Sequence, residues 1–313
     1  MVNYYVTIPG AKGLIEIERP QKNCWIHAEA PTAEEAALIS ALTGISENLM
    51  KSALDEEETA HIDVEGKAKL IVIDIPKKIE DAETGSISTI PLTLICTDEY
   101  LVSVCTATTH VLNDFFEGKV KNVDTAQRPK LAYQIMYNNS VRFLYYLRQI
   151  DRASDRIQKS LSKSMKNEEL LQLVDLQKTL VFFSAALTAN YAVTQRIYNM
   201  VKLDQNERDA LDILDDVTIE NRQALEMCSI YREIIKGTLD AFAAIVNNNQ
   251  NIVMKFLTAI TILLSIPMVV AGFWGMNTEV PFEGKLWGFW VAVGVALVIS
   301  VVIAIFMARK KMF

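Results

Sequence analysis

The chain has 313 residues, 50% of them hydrophobic, and a formal net charge of −7, enough for a soluble part of about 200–250 residues plus a membrane part. The acidic balance argues against nucleic acid as a partner and permits dealings with cations. Its four cysteines (Cys24, Cys96, Cys105, Cys228) and three histidines (His27, His61, His110) are scattered, with no CxxC pair or ligand spacing, which argues against a Cys/His zinc site or a disulfide framework.

The first third reads as mixed α/β. Tyr4–Ile8 and Leu14–Glu18 are short strand candidates bounded by proline and glycine. Thr32 opens a helix, with Glu35 three residues on to complete a capping box, and Gly44 closes it. Ser46 caps a second, short helix through Leu54. The acidic run Asp55–Glu58 reads as a solvated turn in preference to an ion site. Ala60–Glu65 pairs with Lys69–Ile75 about Gly66, and Ser88–Cys96 pairs with Tyr100–Thr106 through Thr97–Glu99. His110–Glu117 is expected as a helix.

From Arg128 onward strand signals vanish. Lys130–Lys163 carries Leu131, Ile135, Val141, Leu144, Leu147 and Ile150 on or near one helix face. Asn167 starts a second long helix, to about Met200. A third begins at Asp204 and is read as nearly continuous to Trp274, about 70 residues and roughly 100 Å at the rise of an α-helix. Its only proline is Pro267.

The end of that helix is uncharged from Phe256 to Asn277, and a second uncharged run covers Leu286–Ala308. Each is long enough to cross a bilayer, and the eight residues TEVPFEGK between them leave room only for a turn. The pair is therefore a transmembrane hairpin. Lys255 flanks the first span and Arg309, Lys310 and Lys311 follow the second, whereas the turn holds Glu279, Glu283 and Lys285. Basic flanks stay inside, so both termini are expected in the cytoplasm. The opening MVNYYVTIPG lacks the pattern of a secretory signal, so the bulk of the chain is expected there too.

Within the first span Asn251, Met254, Thr258, Thr261, Ser265 and Met268 step by three or four residues and share one face. Lipid cannot satisfy such a stripe, so it is expected to face other helices or water. The alternative is that the hydroxyls bond back to their own helix. A path enclosed by single stripes requires a homo-oligomer. At the outer end stands Gly275-Met276-Asn277, where glycine frees the backbone and Asn277 offers a neutral amide oxygen. A ring of such oxygens holds a hydrated divalent ion through its waters, which suits Mg²⁺ because it dehydrates reluctantly.

In NIVMKFLT (Asn251–Thr258), AGFWGMN (Ala271–Asn277) and the tail ARKK (Ala308–Lys311) the sequence resembles the CorA family of magnesium transporters. The motif likeness covers about the last 70 residues, the architecture the whole chain. The resemblance implies an α+β membrane protein with three parts. These are an N-terminal α/β/α cytoplasmic domain (1–127), a long-helix stalk or funnel (128–250) and a C-terminal two-helix transmembrane hairpin (251–313, spans about 252–274 and 286–308). It implies a homopentamer in the cell membrane and Mg²⁺ influx driven by the membrane potential, worth about 4.6 kcal/mol for a divalent ion at 100 mV.

By motif position, Gly275, Met276 and Asn277 would form the selectivity filter. Asn251, Met254, Leu257, Thr258, Thr261, Ser265 and Met268 would line the pore, with Met254 and Leu257 as its hydrophobic constriction. Glu279 and Glu283 fall in the external loop. A regulatory Mg²⁺ site of the family falls at Asp216, beside Asp212 and Asp215. The sequence departs from the family pattern at Thr278, in the VPFE of the loop, at Pro267 and at Met268.

Mg²⁺ is thus the expected cargo and regulatory ligand, with no resident cofactor. A Zn²⁺, Co²⁺ or Ni²⁺ transporter of the same fold is the second reading, and a non-conducting membrane-anchored sensor or scaffold the third. No phosphate-binding loop, nucleophile elbow or histidine constellation supports an enzyme.

Overall fold

The structure is a computed structural model that describes residues 1–8, 13–66, 68–78, 87–164, 167–203, 210–276, 281–282, 285 and 287–310. It divides into two compact units, Met1–Gly237 and Thr238–Phe313.

The first unit is built on one seven-stranded sheet. Its strands are β1 (Val2–Val6), β2 (Ile15–Ile17), β3 (Trp25–Glu29), β4 (His61–Glu65), β5 (Ala68–Lys78), β6 (Ile87–Cys96) and β7 (Leu101–Cys105). Their spatial order is β2-β1-β3-β7-β6-β5-β4, with β3 and β7 parallel and every other neighbour antiparallel. The expected pairs about Gly66 and Thr97–Glu99 are present, in the registers Glu65↔Ala68 and Cys96↔Leu101.

Strand β3 was not anticipated. Trp25, Ile26, His27 and Ala28 are all buried, so the segment shows no apolar/polar alternation. The reason is that helices cover both faces. On one face α1 (Ala33–Thr43) and α2 (Glu47–Ala53) bury Ile39 and Met50 against Ile26, Val72 and Val102. On the other, α3 (Asn113–Phe116), α4 (Arg128–Ser164), α5 (Asn167–Leu203) and the start of α6 (Leu211–Trp274) bury Phe115, Leu131, Ile197 and Leu214 against Trp25, Ile73 and Leu92. The result is the expected α/β/α sandwich.

Local signals hold where they were read. Thr32 and Glu35 form the reciprocal capping box of α1, and Gly44 closes it at φ 73°. Ser46 caps α2. The acidic run is a turn held by its own side chains: Asp55 Oδ1 accepts the Glu57 amide, and Ser52 Oγ donates to Glu58. The helix expected over His110–Glu117 is only the four residues of α3. The third long helix, α6, runs unbroken for 64 residues through Pro267. Residues 204–209, where it was expected to begin, lie outside the described residues.

Two asparagines fasten the long helices to the sheet. Beyond Val72, β5 has no β4 neighbour, so the backbone of Asp74 faces an open edge. Asn190 of α5 takes the place of a strand: its Oδ1 accepts the Asp74 N–H and its Nδ2 donates to the Asp74 carbonyl, both at 2.8 Å. Asn139 of α4 donates to the same carbonyl at 2.8 Å. Pro76 and Pro91 sit past the ends of the β4 and β7 pairings, where their missing N–H groups cost no ladder bond.

Burial also shifts two titratable groups here. His27, enclosed beside Ser103, is pushed down to about 4 by burial, so it is neutral at pH 7. Burial raises Asp74 to about 6.

Two outcomes follow from the β5 edge. Asn190→Ala orphans the Asp74 N–H and lowers stability by about 1–3 kcal/mol, seen as a lower thermal midpoint in detergent. Asp74→Asn tests the carboxyl. A carboxyl whose folded pKa lies above its unfolded value costs stability at high pH, and the cost disappears as pH falls through the folded and then the unfolded pKa. The substitution therefore stabilises by about 1–2 kcal/mol above pH 6, discounted for partial exposure, and by nothing near pH 3.8.

Candidate ion path and regulatory aspartates

The second unit contains the membrane part of α6 and all of α7 (Gly288–Arg309). Both are long and apolar enough to cross a bilayer. Helix α5 also meets that measure of length and apolarity, but it is packed into the sandwich core through Leu173, Leu180, Phe183 and Leu187. Few positions in the hairpin are buried: Ala259 and Val270 on α6, and Gly288, Ala296 and Met307 on α7. They mark the sides on which the two helices are covered.

The stripe does not lie on the covered side of α6. Counted around the helix, Asn251, Met254, Thr258, Thr261, Ser265 and Met268 centre roughly 150° away from the line through Ala259, Leu263, Ile266 and Val270. Met254, Leu257 and Met268 are 54%, 56% and 75% exposed, so this face is left open by the described residues. Asn251, Thr258, Thr261 and Ser265 are exposed as well.

The hydroxyls do bond back to their own helix. Thr258 donates to the Met254 carbonyl at 2.8 Å, Thr261 to Leu257 at 2.8 Å and Ser265 to Thr261 at 2.7 Å. That was the alternative reading of the stripe, and it decides how the stripe can act. Each hydroxyl proton is spent on the helix, while the oxygen keeps lone pairs pointing outward. Such a face is an acceptor face. A hydrated cation turns its water hydrogens outward, so an acceptor face is chemically suited to one.

At the top of α6, the Gly275 N–H donates to the Ala271 carbonyl at 2.9 Å. Gly275 is not among the positive-φ glycines, so its value here is closeness: a Cβ would stand 3.2 Å from the Ala271 carbonyl oxygen. Met276 follows, 53% exposed. Asn277, Glu279 and Glu283 lie outside the described residues. Across the loop, the Phe282 ring lies tilted against Trp287 with ring centroids 4.6 Å apart.

The aspartates read as regulatory lie in the first unit. Asp212, Asp215 and Asp216 are exposed on α6, while Leu214 and Val217 between them are buried in the core. Asp216 is near enough to Tyr137 of α4 to raise its pKa, as does Glu220, after burial as the main cause. No group of three or more His, Cys, Asp or Glu comes together among the described residues.

With this geometry, comparison with known proteins is decisive for the family. The family described as CorA-like Mg2+ transporter protein matches residues 20–310, and the chain belongs to it. The cobalt/magnesium transport protein CorA of Methanocaldococcus jannaschii is 25% identical over 304 residues, spanning 92% of this chain and 90% of that protein. The protein of the same description from Thermotoga maritima is 26% identical over 212 residues, 63% of this chain and 60% of its own. The complete structure of the CorA magnesium transporter from Methanocaldococcus jannaschii superposes with a TM-score of 0.87 at 21% identity, covering 100% of this chain and 99% of that one. The family is one of membrane transporters for Mg²⁺ and cobalt, not of enzymes.

The hairpin turn makes its own prediction. A Cβ on Gly288 would sit 2.8 Å from the backbone oxygen of Phe282, whereas one on Gly294 would meet nothing within 4 Å. Gly288→Ala therefore costs about 1–3 kcal/mol, and tryptophan fluorescence registers the displaced Phe282–Trp287 pair. Gly294→Ala is neutral or stabilising by about 1 kcal/mol.

Proposed function

We propose that the protein is a homopentameric Mg²⁺ channel of the cell membrane, with both termini in the cytoplasm and Mg²⁺ entering down the membrane potential. The observation that carries this reading is the open acceptor face of α6, turned away from its covered side. It runs from Asn251 to Met268 and leads to Gly275-Met276-Asn277. Around a symmetry axis, five such faces line a water-filled path and offer acceptors to the hydration shell of a divalent ion at every turn. Met254 and Leu257 narrow the path near the cytoplasmic end. Gly275, Met276 and Asn277 form the filter, and Glu279 and Glu283 place negative charge at the outer mouth.

In this reading residues 1–127 and 128–250 are the cytoplasmic domain and stalk, and 251–313 the membrane part. Asp216, with Asp212 and Asp215, contributes to a Mg²⁺ site shared between subunits that favours the closed state. The exposure of Asp212, Asp215 and Asp216 on one stretch of α6 supports a shared site, because it leaves these carboxylates open to a neighbouring subunit. Co²⁺ is a second permeant ion, in keeping with the description of the relatives.

The test is uptake into liposomes containing a Mg²⁺-sensitive dye under an inside-negative potential. Native protein admits Mg²⁺, and Asn277→Ala lowers entry by at least about tenfold through loss of one ring of amide acceptors. Zn²⁺ entry without Mg²⁺ overturns the assignment of the ion. Entry of neither ion, from inserted and folded protein, overturns the channel reading.

A further inference from the structure

One cavity of the first unit has no place in ion conduction. It is a cleft of about 1140 Å³ where the distal halves of α4 and α5 meet the Lys78–Ile87 end of the β5–β6 pair. Its floor is apolar, with Ile87 and Ile150 8% and 2% exposed. Its walls carry both signs of charge. The α4 wall includes Arg152 and Arg156, one helical turn apart on one face, with Asp155 between them, and the α5 wall includes Glu168 and Asp175.

These charges do not cancel one another. Neither Arg152, Arg156 and Lys78 nor Glu168 and Asp175 enter an ion pair among the described residues. The one hydrogen bond from the arginine pair is Arg156 Nε to the Arg152 carbonyl, which holds the guanidinium along the α4 wall. The cleft is somewhat larger than the 300–1,000 Å³ typical of small-molecule sites, and most of its lining side chains are polar or charged.

We infer that this cleft binds a metal-complexed nucleoside polyphosphate. A purely anionic ligand meets the α5 carboxylates, and a purely cationic one meets the α4 arginines. A polyphosphate carrying a divalent ion presents both signs along one edge. Its phosphate oxygens take the guanidinium forks of Arg152 and Arg156, a geometry that arginine matches in two places at once. The ion's water hydrogens face Glu168 and Asp175, since magnesium keeps several waters when bound to phosphates. The flat, apolar base covers Ile87 and Ile150. The site lies wholly in the first unit and stands independently of how the membrane part conducts.

The experiment is calorimetric titration of the full-length protein in detergent, at fixed free Mg²⁺, with MgATP, magnesium tripolyphosphate and adenosine in turn. MgATP binds more tightly than either fragment. Replacing Arg152 and Arg156 by alanine together weakens MgATP by at least about tenfold, the loss expected for one or more charge-assisted contacts. Asp175→Asn weakens MgATP but leaves metal-free ATP, measured with chelator present, unchanged. Both variants carry surface substitutions, and unaltered thermal midpoints verify that they fold. Absence of heat with millimolar MgATP overturns the inference, as does binding indifferent to the arginine pair. Equal affinity for tripolyphosphate overturns the role given to the apolar floor.

Discussion

Inside a bilayer the peptide backbone has no water to bond to, and this governs the C-terminal quarter of the molecule. An uncharged run of this length has to be a helix, and any polar side chain on it has to find a partner nearby. Thr258, Thr261 and Ser265 find theirs in carbonyls four residues back, at 2.7–2.8 Å. The same bonds leave oxygen acceptors on the surface. One constraint thus satisfies the hydroxyl protons within the helix while leaving acceptors on its surface. Pro267 is the one place where the helix omits a bond, because it has no N–H to give the Leu263 carbonyl.

The sandwich of the first unit is held by a related economy. An open strand edge at Asp74 is an invitation to pair with another chain. Two helices close it with side-chain amides, Asn190 making both bonds a neighbouring strand would make and Asn139 adding a third. This fixes the height of α4 and α5 against the sheet. It also sets the position of the cleft at Ile87 and Ile150, since the same two helices form its walls. The aspartates of α6 project from a stretch whose other side, Leu214 and Val217, is buried against the sheet. A cation bound there would act on an element already locked into the core.

How much of this was legible in advance depended on whether the signal was local. Caps, turns and hairpins were read correctly because Thr32–Glu35, Gly44 and Gly66 act within a few residues of themselves. The two apolar spans were legible because length and absence of charge require no fold. Strand β3 was missed because its burial on both faces comes from α1 and α2 on one side and α3 to α6 on the other. The Asn139–Asn190 clamp was missed because asparagine within a helix carries no mark of a partner 65 or 116 residues away.

The sequence by itself determined that the chain has a mixed α/β domain, three long helices and two long apolar runs near its end, and that it carries Gly275-Met276-Asn277 at the C-terminal end of the first of them. These are consequences of periodicity, capping and hydrophobic length, all short-range along the chain. Only the tertiary structure decided which way the stripe turns, because the covered side of α6 is set by packing. It alone decided that the hydroxyl protons are spent within the helix, and that Asp212, Asp215 and Asp216 make no cation cage with other described residues of a single chain. Those facts depend on distances between groups far apart in sequence, or on a choice between bonds that the sequence permits equally.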